Sequence, residues 1–594
     1  EHLQQLTICR NRRNFKKTYC VCFLIDFKKR RASQFKCIFF VSFSEGVIGC
    51  IIFFTLTYIF LGIPLLYMET VISQFTNRDC IDVWKISPCV SHIGYVLELW
   101  QVIVLIYNHI VTTFLVHYLL ISFENPVPYY TCGPWSNNQC NIILTNYTIN
   151  KNCIKRRKGA SYCEDLYTSF PEYQYWRYYL IKLDKRADIA WKVCLASATI
   201  CTVMYLSCFK REKSLKWVVY FLATYPILAF IVLFTGSLLQ KGIIMKFTEA
   251  LDFDFKDFVN KIRISNVIQR VVYNLGIGSG VTLNLSANSP FRTPCLSNTV
   301  ICVVICTLFT ILTIITTAMM TCPYAFEFDE KPETIMKAHI SFLFEKVPRL
   351  LYQYERKSFY LILTFSCYSV LGLCTNIIVF YNLLDVVATR NDKVAKYPGL
   401  ACFCGSVLIF LITIPFFNYF GINIMAVSFR RHVVIFMTFT SMVECLVFLN
   451  WYGVQRFSED VHFMLGVKQQ IYVKIAWFIS SIVLGCAFCV ELNHYLRTTT
   501  QFIYGSYAVF IILGVLLVIF ITKTLYAAYT YQLPRLFQLD PTWGPKNEIF
   551  QRSRAMFSAQ AMTKEYMYRQ YHLQAGIISR QRQSNVRNSL NLFQ

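Results

Sequence analysis

Apolar runs of helix length follow one another along most of the chain, separated by short polar or charged segments. About 20 consecutive apolar residues cross the hydrocarbon core of a bilayer as a helix. The eleven runs that reach this length lie near residues 48–69, 93–121, 189–208, 217–237, 266–288, 299–320, 358–388, 400–423, 432–452, 471–492 and 503–530. The pattern therefore predicts an all-α membrane protein with many spans.

A twelfth candidate span, at about residues 18–44, precedes these runs and is interrupted by four adjacent cations, Lys28 to Arg31. Each such charge at the centre of a membrane helix costs about 2.5–3.5 kcal/mol. We therefore expect this first span to be irregular or poorly packed. The alternative is that the start of the sequence is wrongly assigned.

Composition agrees with the apolar runs and excludes several classes of function. The 594 residues are 55% hydrophobic and 15% charged, whereas about a quarter of a typical soluble protein is charged. The chain carries 58 Lys and Arg against 33 Asp and Glu, a net charge of +25. A nucleic-acid binder would place such cations along an amphipathic surface, so we expect no nucleic-acid partner. We find no hydrolase, zinc-protease or phosphate-loop motif, so we expect neither an enzyme nor a cofactor.

The basic segments indicate which side of the membrane each loop occupies. The stretch 209–213 and the tail after residue 530 are both basic and fall on one side if twelve spans are counted, which predicts that this side is cytoplasmic. Both termini are then cytoplasmic in a plasma-membrane protein. The predicted organisation is a cytoplasmic N-terminus with a degenerate first span at 1–45, a core at 46–530 with an outer loop at 124–188, and a basic cytoplasmic tail at 531–594.

The outer loop contains features of an oxidising, lumenal environment. Its polar sequence contains the sequon at Asn146, which predicts a glycan, although a loop of this size can contain a sequon by chance. Four cysteines close together in such a compartment suggest disulfides. They are Cys132, Cys140, Cys153 and Cys163. Most other cysteines lie singly in apolar runs, as Cys201 and Cys402 do, where we expect them to behave as small hydrophobic residues.

Several strings, found in order along the chain, resemble those of the neurotransmitter:sodium symporters, solute carrier family 6. They include GIPLLYME at 62–69 and NLGIGSG at 274–280. The others lie at 73–75, 83–85, 106–108, 128–140, 218–226 and 451–466. The resemblance implies an all-α fold of about twelve transmembrane helices, with two inverted five-helix repeats and broken helices one and six at the membrane midplane.

The sequence supplies an independent reason for the break in the sixth span. Gly276, Gly278 and Gly280 each weaken a helix by up to about 1 kcal/mol. Backbone groups freed at membrane depth are tolerated where they line a cavity or are buried in protein. We therefore predict an interruption between Asn274 and Gly280, with Tyr273 facing a central cavity. Close helix packing through small residues is the alternative interpretation.

The resemblance also implies a substrate site and a disulfide. The implied substrate contacts are Tyr107, Asn108, Tyr273, Asn274, Gly276, Gly278 and Thr375. An amino-acid-like zwitterion or an amine is the implied solute, and its carboxylate could accept backbone N–H bonds where a half-helix begins. The family pattern pairs Cys132 with Cys140, and Cys153 with Cys163 is a second candidate pair.

The ion sites implied by the resemblance are eroded in this chain. Cys374 stands where the family has a sodium-binding aspartate, and a neutral thiol is a poor ligand for a hard cation. Cys306 replaces an asparagine and Asn274 a serine. The degenerate ion-binding set is Asn274, Cys306, Thr310, Cys374, Thr375 and Arg270. We therefore expect sodium and chloride binding to be weak or absent.

Two intramembrane residues each allow two interpretations. Arg270 replaces a glutamine beside the family's chloride, and it could hold an anion or pair with a carboxylate such as Glu444. His109 is either a hydrogen-bonded structural residue or a proton relay. For the chain as a whole, we expect a solute transporter in the lipid bilayer, and the oligomeric state stays open. The alternatives are a transport-inactive sensor, chaperone or partner subunit, and a channel-like pathway, for which a ring of pore charges is missing.

Overall fold

The computed structural model describes the spans, most short loops and part of the C-terminal tail. The described residues are 47–137, 140, 170–180, 191–209, 212–240, 242–251, 261–328, 342–418, 430–498, 537–540 and 543–557, with single positions and short stretches between 514 and 530. The expectations for the first span, for Asn146, for Cys153 and Cys163, and for most of the run at 503–530 lie outside these residues.

The described residues contain nine helices that are long and apolar enough to cross a membrane, and no strand. They are Val47–Thr76, Ile93–Ile121, Trp191–Cys208, Val218–Leu238, Cys295–Phe326, Lys357–Arg390, Pro398–Phe416, Val433–Trp451 and Ile471–His494. Each matches one predicted run. If the candidate at 18–44 is counted first, they are spans two to five and seven to eleven. The all-α membrane fold is confirmed.

The second span is longer than its apolar run at 48–69 because its polar end is buried and hydrogen-bonded. A π-helical turn at Tyr58–Gly62 separates its two halves. Beyond residue 69, the Gln74 Nε2 donates to the carbonyls of Phe291 and Thr293 at 3.0 and 2.9 Å. The protein interior thus supplies the hydrogen bonds that these polar residues would otherwise find in water.

The sixth span is broken, as predicted. One helix runs over Lys261–Leu275 and a second over Val281–Ala287. Between them, Gly276, Gly278 and Gly280 have φ of 70°, 69° and 77°, a left-handed conformation that glycine adopts without steric cost. The glycines therefore end one helix and turn the chain into the next.

The third and eighth spans pack tightly against each other. A Cβ atom on Gly372 would lie 2.3 Å from Thr112 Oγ1, so only glycine allows this approach. The Asn376 Nδ2 donates to Thr112 Oγ1 at 3.2 Å, and Asn382 Nδ2 donates to Gln101 Oε1 at 2.6 Å. These contacts fix the relative position of the two helices that carry Asn108 and Thr375.

The loop at 124–188 begins with a disulfide and an aromatic cluster. Cys132 and Cys140 are bonded, as the resemblance implied. Tyr118 is fully buried and its ring lies 5.1 Å from those of Tyr129 and Phe344. These contacts join the end of the third span to the loop that follows it.

Part of the predicted tail packs on the face opposite the loop at 124–188, where spans two and three are joined. The backbone N–H of Asp540 donates to Ile86 O at 2.8 Å, and that of Lys546 to Thr76 O at 2.9 Å. The Arg554 Nε donates to Asp460 Oδ1 at 2.6 Å. The described residues from 537 to 557 therefore form part of the core's surface.

An ion pair on this face ties the end of the second span to the end of the eighth. Arg390 donates to both carboxylate oxygens of Asp79, at 2.6 and 3.0 Å. Burial of Asp79 opposes its ionisation. The hydrogen bonds from Arg390 and from the Asp82 backbone N–H outweigh that effect and hold the pKa of the Asp79 carboxyl below its usual range.

We expect Asp79→Asn to lower the free energy of unfolding by about 1 kcal/mol or less at neutral pH, since the pair is partly exposed. Because the folded-state pKa of Asp79 is depressed, the contribution is fully present above the usual aspartate pKa of about 3.9 and is lost as pH falls through the folded value. Thermal unfolding of both proteins from pH 7 downward measures this difference. Asp392→Asn, at an exposed position, is the control, and a difference that grew on acidification would contradict the assignment.

Candidate functional site

The break in the sixth span is held by side chains of the second and tenth spans. The Gly278 N–H donates to Glu69 Oε1 at 2.5 Å, and Thr440 Oγ1 donates to Gly278 O at 2.6 Å. Glu69 and Thr440 are 0% and 3% exposed. The peptide groups on both sides of Gly278 are therefore satisfied by protein, which allows an unwound segment at membrane depth.

The same glycine sits directly against the tenth span. A Cβ atom added to Gly278 would lie 2.4 Å from Ser441 Oγ and 2.5 Å from Met437 O. The second of these is a backbone atom that cannot turn away. Gly278 is thus required both for its φ and for its lack of a side chain.

Glu69 also meets a second buried acid. Glu444, from the tenth span, is 1% exposed and lies beside Glu69. The carboxyl groups of Glu69 and Glu444 therefore lie next to each other beside the break. Arg270 is half-buried and interacts with other residues. Its pairing with Glu444 stays a prediction.

Two of the residues predicted to bind ions are hydrogen-bonded to one tyrosine hydroxyl, and a third is bonded to one of those two. The Asn274 Nδ2 donates to Tyr58 Oη at 3.1 Å, and Thr310 Oγ1 lies 3.1 Å from the same oxygen. The Thr310 hydroxyl also donates to the carbonyl of Cys306 at 2.7 Å. Tyr58 is fully buried. Its hydroxyl thus bonds the Thr310 oxygen, which could ligate a cation, and the Asn274 Nδ2, which could donate to an anion.

Sequence reasoning missed Tyr58 and Glu69 as parts of this site. A tyrosine in an apolar run is ordinary, and nothing in its neighbours identifies its partners. The only local signal for Glu69 was a carboxylate at the end of an apolar run, which is by default a functional candidate.

We expect Tyr58→Phe to reduce stability by about 1–3 kcal/mol, because the Asn274 amide and the Thr310 hydroxyl lose a buried partner. It should also let added sodium or chloride raise the melting temperature, since those groups become available. Tyr354→Phe is the matched control, because it removes a buried hydroxyl that bonds Ser237 at 3.0 Å, away from the break. Equal ion responses of the two variants, or unchanged stability of Tyr58→Phe, would argue against this arrangement.

The eighth span carries Cys374 and Thr375 on its buried surface. Cys374 is 0% exposed and belongs to an apolar cluster with residues of the third, fourth and ninth spans. Thr375 is 3% exposed and its hydroxyl donates to Leu371 O at 3.2 Å. The thiol at 374 thus sits in surroundings that suit a small hydrophobic residue.

Asn108 offers an unused hydrogen-bond donor on the third span. Its backbone carbonyl accepts a bond from Thr112 Oγ1 at 2.6 Å. Its side-chain Nδ2 is shielded from solvent and has no hydrogen-bond partner among the residues that the structure describes. Tyr107, beside it, is half-buried, as is Tyr273 at the end of the first half-helix. Buried donors of this kind normally have partners, so Asn108 is a candidate ligand-binding group.

His109 has the environment of a structural residue. Its Nε2 lies 2.8 Å from Ser197 Oγ on the fourth span, and the side chain is fully buried. Cys201 Sγ lies 3.9 Å from the same nitrogen. The hydrogen bond joins spans three and four, which favours the structural interpretation of His109.

The structure thus gathers the predicted residues in two groups. Asn274 and Thr310 meet at Tyr58, next to the break, and the carbonyl of Cys306 accepts a hydrogen bond from Thr310. Asn108 and Thr375 lie on the paired third and eighth spans, and the second half of the sixth span packs against the eighth. A bundle of membrane helices with one helix broken near its middle is the architecture of a solute transporter.

The comparisons with known proteins agree with this class. A sequence model of the sodium:neurotransmitter symporter family matches residues 39–533, and the chain belongs to this family. A similar protein is the sodium- and chloride-dependent glycine transporter 1 of Xenopus laevis. It is 23% identical over 451 residues, which are 71% of this chain and 69% of the relative. The family consists of membrane symporters of small solutes rather than enzymes, and the nine apolar helices of the described residues agree with a multi-pass membrane protein.

Proposed function

We propose that the protein carries an amino-acid-like zwitterion or an amine across the plasma membrane by alternating access, with sodium coupling that is absent or feeble. The observation that supports a retained substrate site is the buried Nδ2 of Asn108, which has no hydrogen-bond partner among the described residues. A substrate carboxylate would supply the missing acceptor. The relative's name makes glycine the first probe, followed by larger amino acids and amines.

Two observations support weak coupling to sodium. Tyr58 is hydrogen-bonded to the Thr310 hydroxyl oxygen, so a cation would have to compete with Tyr58 for this ligand. Cys374 lies among apolar residues where a sodium-binding carboxylate was expected. A hard cation binds carboxylate and carbonyl oxygens far better than a neutral thiol.

We further propose that both termini are cytoplasmic, because the basic stretch 209–213 and the basic tail lie on the side opposite the loop at 124–188. The glycan at Asn146 and the disulfide Cys132–Cys140 would then both face the outside. Accessibility of Asn146 to glycan removal on intact cells tests this orientation.

Uptake of labelled glycine and other amino acids into proteoliposomes tests the transport function. We expect uptake that is unchanged when external sodium is replaced by choline, and reduced in Asn108→Ala. Cys374→Asp should not restore sodium dependence, because Tyr58 still engages Asn274 and Thr310. Robust sodium-driven uptake by the unaltered protein would overturn the proposal.

A transport-inactive sensor or partner subunit is the second candidate function. The hydrogen bond between Tyr58 and Thr310 favours it, since a weakened sodium site would lower the driving force for accumulation. The two candidates separate cleanly: a folded protein that binds an amino acid without moving it would support the second.

A further inference from the structure

Cys208 and Cys402 lie near each other where two spans meet. Cys208 is the last residue of Trp191–Cys208, and Cys402 lies in the first turns of Pro398–Phe416. The two cysteines belong to the same buried cluster, in which the fourth and ninth spans pack against each other. The Cys402 Sγ is also 3.6 Å from the carbonyl oxygen of Tyr205, in the last turn of the fourth span. Cys402 is buried in an apolar cluster, as expected of a small hydrophobic residue, and the fold also brings it near a second cysteine.

A small cleft reaches one cysteine of this pair. Cys208 and Cys402 are only 3% and 1% exposed, so neither is an ordinary surface thiol. Cys208 nevertheless lines a cleft together with Tyr381, Asp385 and Pro398. Of the two cysteines only Cys208 lines the cleft, so an oxidant small enough to enter it would meet Cys208 first.

We propose that Cys208 and Cys402 form a reversible disulfide that fastens the end of the fourth span to the start of the ninth. With a peroxide as oxidant, the sulfur of Cys208 attacks one peroxide oxygen, the O–O bond breaks, and a sulfenic acid and water form. The Cys402 sulfur then attacks the sulfenic sulfur, and a second water leaves as the disulfide forms. The two thiols lose two electrons and two protons, and hydrogen peroxide is reduced to two waters.

The position of the pair suits a redox-responsive bond. It lies at the end of the fourth span remote from the loop at 124–188, and therefore on the face opposite the Cys132–Cys140 disulfide. If that face is cytoplasmic, as proposed above, disulfides formed there are transient and regulatory. The bond would restrain movement between the fourth and ninth spans, which pack against each other in the structure.

Peptide mapping of the full-length protein in detergent tests the proposal directly. The protein is treated with hydrogen peroxide, remaining thiols are alkylated under denaturing conditions, and the digest is analysed by mass spectrometry with and without dithiothreitol. We expect a cross-linked peptide that contains Cys208 and Cys402 and disappears on reduction. The melting temperature should rise on oxidation and return on reduction. Neither readout requires transport, so the result is independent of the proposed function.

Cys404, exposed on the same span, provides the matched control. Cys404→Ser should form the cross-link as the unaltered protein does, while Cys208→Ser should leave Cys402 free for alkylation. Cys402→Ala is the alternative variant if Cys208→Ser does not fold. Oxidation of Cys404 with both Cys208 and Cys402 recovered as free thiols would overturn the proposal, as would a cross-link of Cys208 to a different cysteine.

Discussion

Gly278→Ala is expected to remove ligand binding and uptake and to destabilise the protein. The left-handed backbone at φ 69° costs a residue with a Cβ about 1–2 kcal/mol. Forcing that Cβ against the Met437 carbonyl adds about 1–3 kcal/mol, because a packed backbone cannot yield locally. Together these terms predict a destabilisation of about 2–5 kcal/mol. Uptake should be lost because the backbone of the break must shift to make room for the Cβ. Melting temperature and uptake in proteoliposomes measure the two effects.

Gly466→Ala separates the two causes. Gly466 has φ 74°, nearly the same backbone conformation, but no atom lies within 4 Å of the position its Cβ would take. We therefore expect this control to show only the conformational cost and to keep uptake. If Gly278→Ala behaved like Gly466→Ala, the contact with the tenth span would not shape the break.

Glu69→Ala should have a comparably large effect, because it leaves the Gly278 N–H buried without an acceptor. An unsatisfied buried donor costs about 1–3 kcal/mol, and here it lies in the unwound segment that the proposed function needs. Glu69→Gln keeps a side-chain oxygen of the same reach and should retain most of the stability and uptake. The comparison uses melting temperature and uptake of the same labelled amino acid. Equal loss in both variants would show that the charge of Glu69, rather than its hydrogen bond to Gly278, is the essential property.

These predictions share one physical basis. The backbone at 276–280 is not helical, and it stays ordered because side chains of other spans form hydrogen bonds with its N–H and C=O groups. Weakening either the glycine or its partner should therefore affect stability and ligand binding together. Variants on the third span, such as Asn108→Ala, should instead reduce binding with little loss of stability, since Asn108 Nδ2 has no described partner to lose.

The sequence by itself determined the membrane class, the limits of the nine described spans to within seven residues, and the place where the sixth span breaks. Hydropathy over about 20 residues is a local property, so it needs no knowledge of the fold. The glycines at 276, 278 and 280 acted locally too, because the freedom of a backbone without Cβ is intrinsic. The disulfide Cys132–Cys140 came from the family resemblance, which the match over residues 39–533 supports.

Only the tertiary structure decided which groups meet at that break. Tyr58 and Asn274 are 216 residues apart in sequence, and Glu69 and Gly278 are 209 apart. The sequence around each of these residues does not specify its distant partner. The direction of each side chain is set by the π-helical turn at Tyr58–Gly62 and by the packing of the spans. The proximity of Cys208 to Cys402 likewise results from the packing of the spans. Side-chain hydrogen bonds depend on positions fixed to fractions of an ångström by packing, and an apolar pattern along the chain carries no information at that scale.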